Sequence, residues 1–376
     1  MDSNLTVKIN PHVETALLGD QAQQYDMIVF SNIEWQCVYQ RPQHIVNRMA
    51  ETMKILYIEE PSYNSKIKKA GNLTVIKERL HVLKPNVGSI ESIAEILPLY
   101  IKNTHIPMGW FYDPAFCPLL ESFQFDTIVY DCMNELSTVK NADKQLIDQE
   151  KYLMANADIV FTNGESLYEL KKQIHNNVHY FPSSVDERHF SKALQNISIP
   201  ADIGDIPSTI AGFYGTIDDR IDLNLLKQTA QKLPDVSFVM IGPVRKIEES
   251  TLPQASNIYY LGAKCYDELP HYLKAFDIAM MPFVLNDTTK YINPAKTLEY
   301  MAARKPIIST KIVDIARNCN NCINLIETAD EFATAIQDLA NKDLKNLESD
   351  YRKVLDTTSW DTTVNQMKSI IKFFAK

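Results

Sequence analysis

Short apolar runs alternate with amphipathic stretches along most of this chain, and the spacing inside each stretch predicts its structure. Residues 26–32, DMIVFSN, are a β-branched and aromatic run that ends in polar loop residues. In RPQHIVNRMAETM, residues 41–53, Ile45, Met49 and Met53 recur at helical spacing. KILYIEEP (54–61) is the next run, so the three segments predict a β-α-β unit. TIVYDCM (127–133) and DIVFTN (158–163) continue a parallel sheet, with a helix over 140–155 between them. NGESLYELKKQIH (163–175) opens on Asn with Glu close behind, the pattern of a capped helix start, and VHYFPSSVD closes the unit as a strand. Between 186 and 208 Pro and Gly interrupt any period, as in NISIPADIGDIPST, which predicts a linker.

The second half repeats the alternation. IAGFYGTI (210–217), VSFVMIGPV (236–244), NIYYLGA (257–263), FDIAMMPF (276–283) and KPIIST (305–310) predict strands, with helices over 222–233, 266–275 and 293–304. Residues 357–374 predict one amphipathic helix, with Val364, Met367, Ile370 and Ile371 on a face. The fold class is therefore α/β, with two Rossmann-like doubly wound domains, expected over 1–190 and 209–356. Two such domains facing a central cleft place ligands beyond the carboxyl ends of the strands.

Length supports two domains, since 376 residues exceed what one core usually serves. The net charge of −9 excludes the concentrated basic surface of a general nucleic-acid binder, so no nucleic-acid partner is expected. No apolar run approaches the roughly 20 residues that span a bilayer, and residues 1–12 have no basic and apolar leader pattern. A cytoplasmic location is expected. Six cysteines in a chain this long do not make a disulfide framework. Cys319-Asn-Asn-Cys322 predicts a loop, with a redox or metal half-site as the alternative.

TKYINPAKTLEYMAARKPIIST, residues 289–310, carries the candidate chemistry. It sets Asn293, Lys296 and Glu299 among apolar residues at a predicted helix start. Unpaired N–H groups there favour an anion, and Lys296 adds a full charge, so the segment suits a diphosphate. Glu299, one turn on, can accept hydrogen bonds from ribose hydroxyls. After the strands, Gly215 permits close backbone approach, and Arg220 can neutralise a leaving diphosphate or pair with Asp218 or Asp222. Gly242-Pro243 is either a base-contacting loop or an ordinary turn, and Tyr266, Thr288 and Thr289 are further nucleotide-contact candidates.

These residues carry a resemblance. NPAKTLEYMAARKPIIST resembles the P-x-K-x-x-E-Y-x-A-x-x-K/R-P-[IV]-[IV] segment of GT-B glycosyltransferases, in which the helix start grips the diphosphate of a nucleotide sugar. FYGTIDDRIDLNLL, VMIGPV, NIYYLGAKCYDELPHYLKAFDIAMMPF, RPQH and SWDTT are similar to pieces of bacterial transferases that build cell-surface polysaccharides, with a fainter similarity to the glucuronosyltransferase of xanthan assembly. The resemblance implies a nucleotide-sugar donor and a saccharide or lipid-linked saccharide acceptor. It implies no cofactor or metal, and residues 357–376 crossing back to the first domain.

On the acceptor side, the xanthan enzyme's catalytic aspartate matches Asn134, in YDCMNELST. An asparagine cannot act as a general base, which leaves Asp131, Glu135 and His44 as candidates. It also keeps a catalytically degenerate binding subunit as the alternative function. Tyr291 replaces the first residue of the Glu-x7-Glu pattern of retaining members, so the stereochemical course stays open. Residues 66–84 and 106–116 predict either peripheral attachment to the membrane or a solvated face over an aromatic core.

Overall fold

Strands β1 (Met27–Ser31) and β2 (Ile55–Glu59) are buried at every residue. That is the burial of parallel strands covered on both faces, and it is why they appear in the sequence as continuous apolar runs. The computed structural model describes residues 22–36, 38–66, 69–138, 143–207, 209–340 and 347–374. Residues 1–12 and the expected helix start at 140 lie outside these; the described helix runs Lys144–Asn156.

The chain forms two compact units. The first comprises Met1–Asp131, Lys144–Val160 and Ile370–Lys376; the second comprises Cys132–Asp143 and Phe161–Ser369. Residues 161–190, expected with the first domain, thus cluster with the second unit, and the last residues of the tail helix cluster with the first.

The first sheet continues through β3 (Gly71–Lys77), β4 (Leu80–Pro85), β5 (His105–Phe111), β6 (Gln124–Cys132), β7 (Ile159–Thr162) and β8 (Val178–Tyr180). Its order is β3-β4-β2-β1-β5-β6-β7-β8, and the chain passes from the first unit to the second within β7. Met27 pairs with Ile55 on one side and Met108 on the other, both in parallel register, while β3 runs antiparallel to β4. Residues 106–116 decide one expectation: Trp110, Phe111, Tyr112 and Phe116 are all buried, and Phe111 stacks on Phe30 with ring centroids 4.7 Å apart. These aromatics are core, and they offer no membrane-facing surface. In the basic stretch, Lys84 is held by Glu34 at 2.7 Å.

The second sheet holds β9 (Ile210–Tyr214), β10 (Ser237–Ile241), β11 (Ile258–Tyr260), β12 (Ile278–Met281), β13 (Ile307–Thr310) and β14 (Asn324–Ile326), in the order β11-β10-β9-β12-β13-β14. All of its strand pairs are parallel. Helix Leu223–Lys232 buries Leu225, Leu226 and Ala230, and Asp222 caps it by accepting the Leu225 N–H at 2.8 Å. The expected linker is packed instead: Phe190, Ala193 and Ile203 belong to this unit's core. Apolar side chains at these positions outweigh the local Pro and Gly. The tail helix Trp360–Phe374 buries Val364, Met367 and Ile371, with Ile370 half-buried.

Helix Glu165–Lys171 departs from its expected cap. Its N-cap is Gly164, one residue after Asn163, and has no side chain to offer. Asp314 supplies the acceptor, its Oδ1 receiving the Ser166 N–H at 3.2 Å. A β-carbon on Gly164 would come within 2.6 Å of the other Asp314 oxygen, so glycine here makes room for the borrowed cap.

Candidate functional site

In the second unit β9 lies between β10 and β12, so the strand order reverses at β9 and opens a crevice beyond its carboxyl end. Two glycines line it. Gly215 follows β9 with φ +142° and Gly242 follows β10 with φ +145°, conformations that side-chain-bearing residues rarely adopt. The Gly215 N–H donates to the Ile241 carbonyl at 2.8 Å. A β-carbon on Gly242 would lie 1.9 Å from the Gly215 carbonyl oxygen, and one on Gly215 would lie 2.1 Å from Lys296 Cε. The stem of Lys296, at the start of helix Lys296–Ala302, therefore crosses directly over the Gly215 backbone.

Burial pushes the Lys296 ammonium below the usual lysine range; Glu299 and Asp218 pull it back up, and Arg220 pushes it further down. Burial likewise raises the Glu299 carboxyl, against the pull of Lys296 and of the Tyr214 hydroxyl, which donates to Glu299 Oε2 at 2.5 Å. The structure thus brings together Gly215, Gly242, Lys296, Glu299 and Arg220. Tyr214 was missed by sequence reasoning, although its position immediately before Gly215 is the signal that could have found it.

Other candidates hold the frame of the crevice. Arg220 grips the buried Asp218 at 2.6–3.0 Å, the ion pair considered as its alternative role. Pro243 accepts the Ile217 N–H at 3.0 Å. The Thr289 hydroxyl is buried and donates to the Val284 carbonyl, pinning the loop ahead of Lys296. Asn293 donates to the Asn163 carbonyl at 3.0 Å and accepts from Ser183 at 3.1 Å. Tyr266 stacks on His189 with centroids 4.1 Å apart, and its carbonyl lies 3.0 Å from His189 Nε2. His189 was also missed.

The acceptor-side candidates divide between the units. In the first, Asp131 is fully buried and Arg41 Nε meets both its oxygens at 3.1 Å. Burial raises the Asp131 carboxyl and Arg41 draws it down, leaving it above the usual range. His44 is buried on helix Arg41–Met49, its ring edge-on to Tyr39 at 4.6 Å. In the second, Asn134 is exposed, whereas Glu135 is buried and pairs with Lys171 at 2.8 Å. Burial alone would raise Glu135, but Lys171 and Ser137 together hold it below the usual carboxylate range.

Residues 209–342 match the family model described as Glycosyl transferases group 1. This segment is similar to group 1 glycosyltransferases. The chain is also 26% identical over 222 residues to the protein named as teichuronic acid biosynthesis glycosyltransferase TuaH of Bacillus subtilis (strain 168). That match takes in 54% of this chain and 55% of the relative, so the chain spans about half the length of the curated relative it matches. Among solved structures, the sucrose-phosphate synthase of Thermosynechococcus elongatus aligns with a TM-score of 0.68 at 15% identity, over 94% of this chain and 98% of that one. The Anabaena protein Alr3699/HepE, in complex with UDP and glucose, aligns with a TM-score of 0.66 at 11% identity, over 93% and 100%. These likenesses show the fold: GT-B, with two Rossmann-like sheets.

Within this segment, Tyr214→Phe removes the hydroxyl that the buried Glu299 carboxylate relies on. It is expected to destabilise the fold by about 1–3 kcal/mol. Because the Glu299 carboxyl is already raised in the fold, the variant should match the parent at low pH, where the group is protonated. The deficit should then grow as pH rises through the folded value. Thermal melts at several pH values measure this.

Proposed function

We propose that the chain is a nucleotide-sugar-dependent glycosyltransferase that moves a sugar from a nucleoside diphosphate to a saccharide acceptor during the building of a cell-surface polysaccharide. The observation that carries this reading is the crossing of Lys296 over Gly215 at the strand-order reversal, which sets a partly desolvated ammonium beside bare backbone. In transfer, the bond between the anomeric carbon and the diphosphate oxygen breaks and one to an acceptor oxygen forms. Negative charge collects on the leaving diphosphate. Lys296 is placed to stabilise that charge, and a positive group fixed in advance is worth more there than a mobile one in water. Glu299 takes the donor's hydroxyls in this reading.

Uridine is the first base to try, because the similar structures include complexes named for UDP with glucose and for UDP-2-fluoro glucose. The reading needs no cofactor beyond the donor and no metal, since lysine performs the charge neutralisation. It places the reaction in the cytoplasm. A lipid-linked acceptor and peripheral attachment belong to the same proposal, although residues 106–116 do not supply the contact. Among the described residues, no helix is long and apolar enough to cross a membrane.

The test is donor hydrolysis and transfer across a panel of nucleotide sugars, with and without EDTA. Turnover of at least one donor that survives chelation is expected. Activity that returns only with manganese or magnesium would overturn the metal-independent reading. Binding without turnover of any donor would favour the degenerate binding subunit.

A further inference from the structure

The turn Cys319-Asn-Asn-Cys322 has no part in the proposed transfer, yet its geometry is that of a reactive pair. It ends helix Val313–Cys319, and the Cys322 N–H donates to the Cys319 carbonyl at 3.0 Å. The residues that close such a turn have α-carbons under about 7 Å apart. A disulfide bridges α-carbons roughly 4.4–6.8 Å apart, so the backbone already brings the two residues to bridging range. Both thiols are free, and the Cys322 S–H donates to the Cys319 carbonyl at 3.4 Å.

The two sulfurs are unequal in position. Cys319 is buried at 8% exposure, whereas Cys322 is half-buried and is the one a reagent meets first. The neighbouring Cys322 raises the Cys319 thiol, with burial adding to it, and Cys319 lowers that of Cys322 against its own burial. Lys353 further favours the Cys322 thiolate and Asp350 opposes it. Accessibility makes the outer sulfur the attacking one, and the buried Cys319 follows as the resolving thiol. A metal site would require more ligands, and among the described residues no group of three or more His, Cys, Asp or Glu is arranged to hold an ion.

We propose that Cys319 and Cys322 form a redox-active dithiol site whose substrate is a small-molecule disulfide. The Cys322 thiolate attacks one sulfur of that disulfide, forming a mixed disulfide and expelling the first small thiolate. Cys319 then gives its proton to solvent and attacks the Cys322 sulfur, forming the 319–322 bond and expelling the second thiolate. The protein loses two electrons, and the small disulfide gains them as two thiols.

The test incubates the full chain with oxidised glutathione, quenches with acid, alkylates the remaining thiols and reads each cysteine peptide by mass spectrometry. The expected product is a 319–322 peptide lighter by two hydrogens, with no glutathione attached. Cys265, which is exposed and has no neighbouring cysteine in its segment, should instead keep an adduct. Cys319→Ser should trap glutathione on Cys322, and Cys322→Ser should leave Cys319 unmodified. A stable adduct on the wild-type Cys322, or an unreacted pair, would overturn the proposal. The wild-type result decides it even where a serine variant does not fold.

Discussion

A Lys296→Met variant is expected to bind nucleoside diphosphates roughly 10–150-fold more weakly, the loss of a charge-assisted contact of about 1.5–3 kcal/mol, while unfolding at the same temperature as the parent or higher. The two halves of this result have one cause. Burial holds the Lys296 ammonium below its usual range. A lysine depressed in the fold contributes stability only above its unfolded value and loses it as pH falls through the folded one, so a native state that buries the charge carries a penalty that methionine does not. Methionine keeps the stem that crosses Gly215 and removes the charge. Titration calorimetry with UDP and scanning calorimetry on the same samples measure both quantities. Unchanged affinity would remove Lys296 from the site, and a lower melting temperature with unchanged affinity would make it a structural residue.

Lys171→Met should have the largest effect on stability, a loss of about 3–5 kcal/mol, because it leaves Glu135 buried without its cation. The folded Glu135 carboxyl lies below its usual range, so the pair's contribution is present above the unfolded carboxylate value and is lost as pH falls through the folded one. The gap between variant and parent should therefore be widest near neutrality and close in acid. Combining Lys171→Met with Glu135→Gln should recover most of the loss, since a neutral pair of similar size replaces two charges. Denaturant titrations across pH test the whole set. If Glu135→Gln alone abolished turnover without lowering stability, the carboxylate would instead be the acceptor's base.

The central strands of both sheets were legible because burial on both faces writes them as unbroken apolar runs; Ile278–Met281 and Ile307–Thr310 lie within the predicted segments. Strands β3 to β5 were not legible. The basic stretch and the aromatic one left two readings open, membrane attachment or a solvated face over an aromatic core, and the register of Met108 against Met27 settles that Trp110 lies inside. Lys296 and Glu299 were legible as chemistry among apolar neighbours. The Arg220–Asp218 pair, two residues apart, was legible as well, but the ion pairs that hold Asp131 and Glu135 were not, because their partners are remote: Arg41 meets Asp131 from 90 residues away. A carboxylate in a sequence gives no sign of whether a cation already holds it. The 186–208 segment shows the converse, for its Pro and Gly are visible one residue at a time while the core that receives Phe190 and Ile203 is not.

The borrowed cap on helix Glu165–Lys171 sets an order of events during biosynthesis. Asp314 lies 148 residues downstream of the N–H it accepts, a separation that a ribosome covers in roughly 7–30 s. Throughout that interval the helix start has no cap of its own, and water must satisfy its N–H groups. A fragment ending near residue 190 would never receive the cap, so cutting the protein at the boundary its sequence suggests would strand this helix. A division placed inside β7 follows the contacts instead, which makes the second unit one folding body assembled from both halves of the chain.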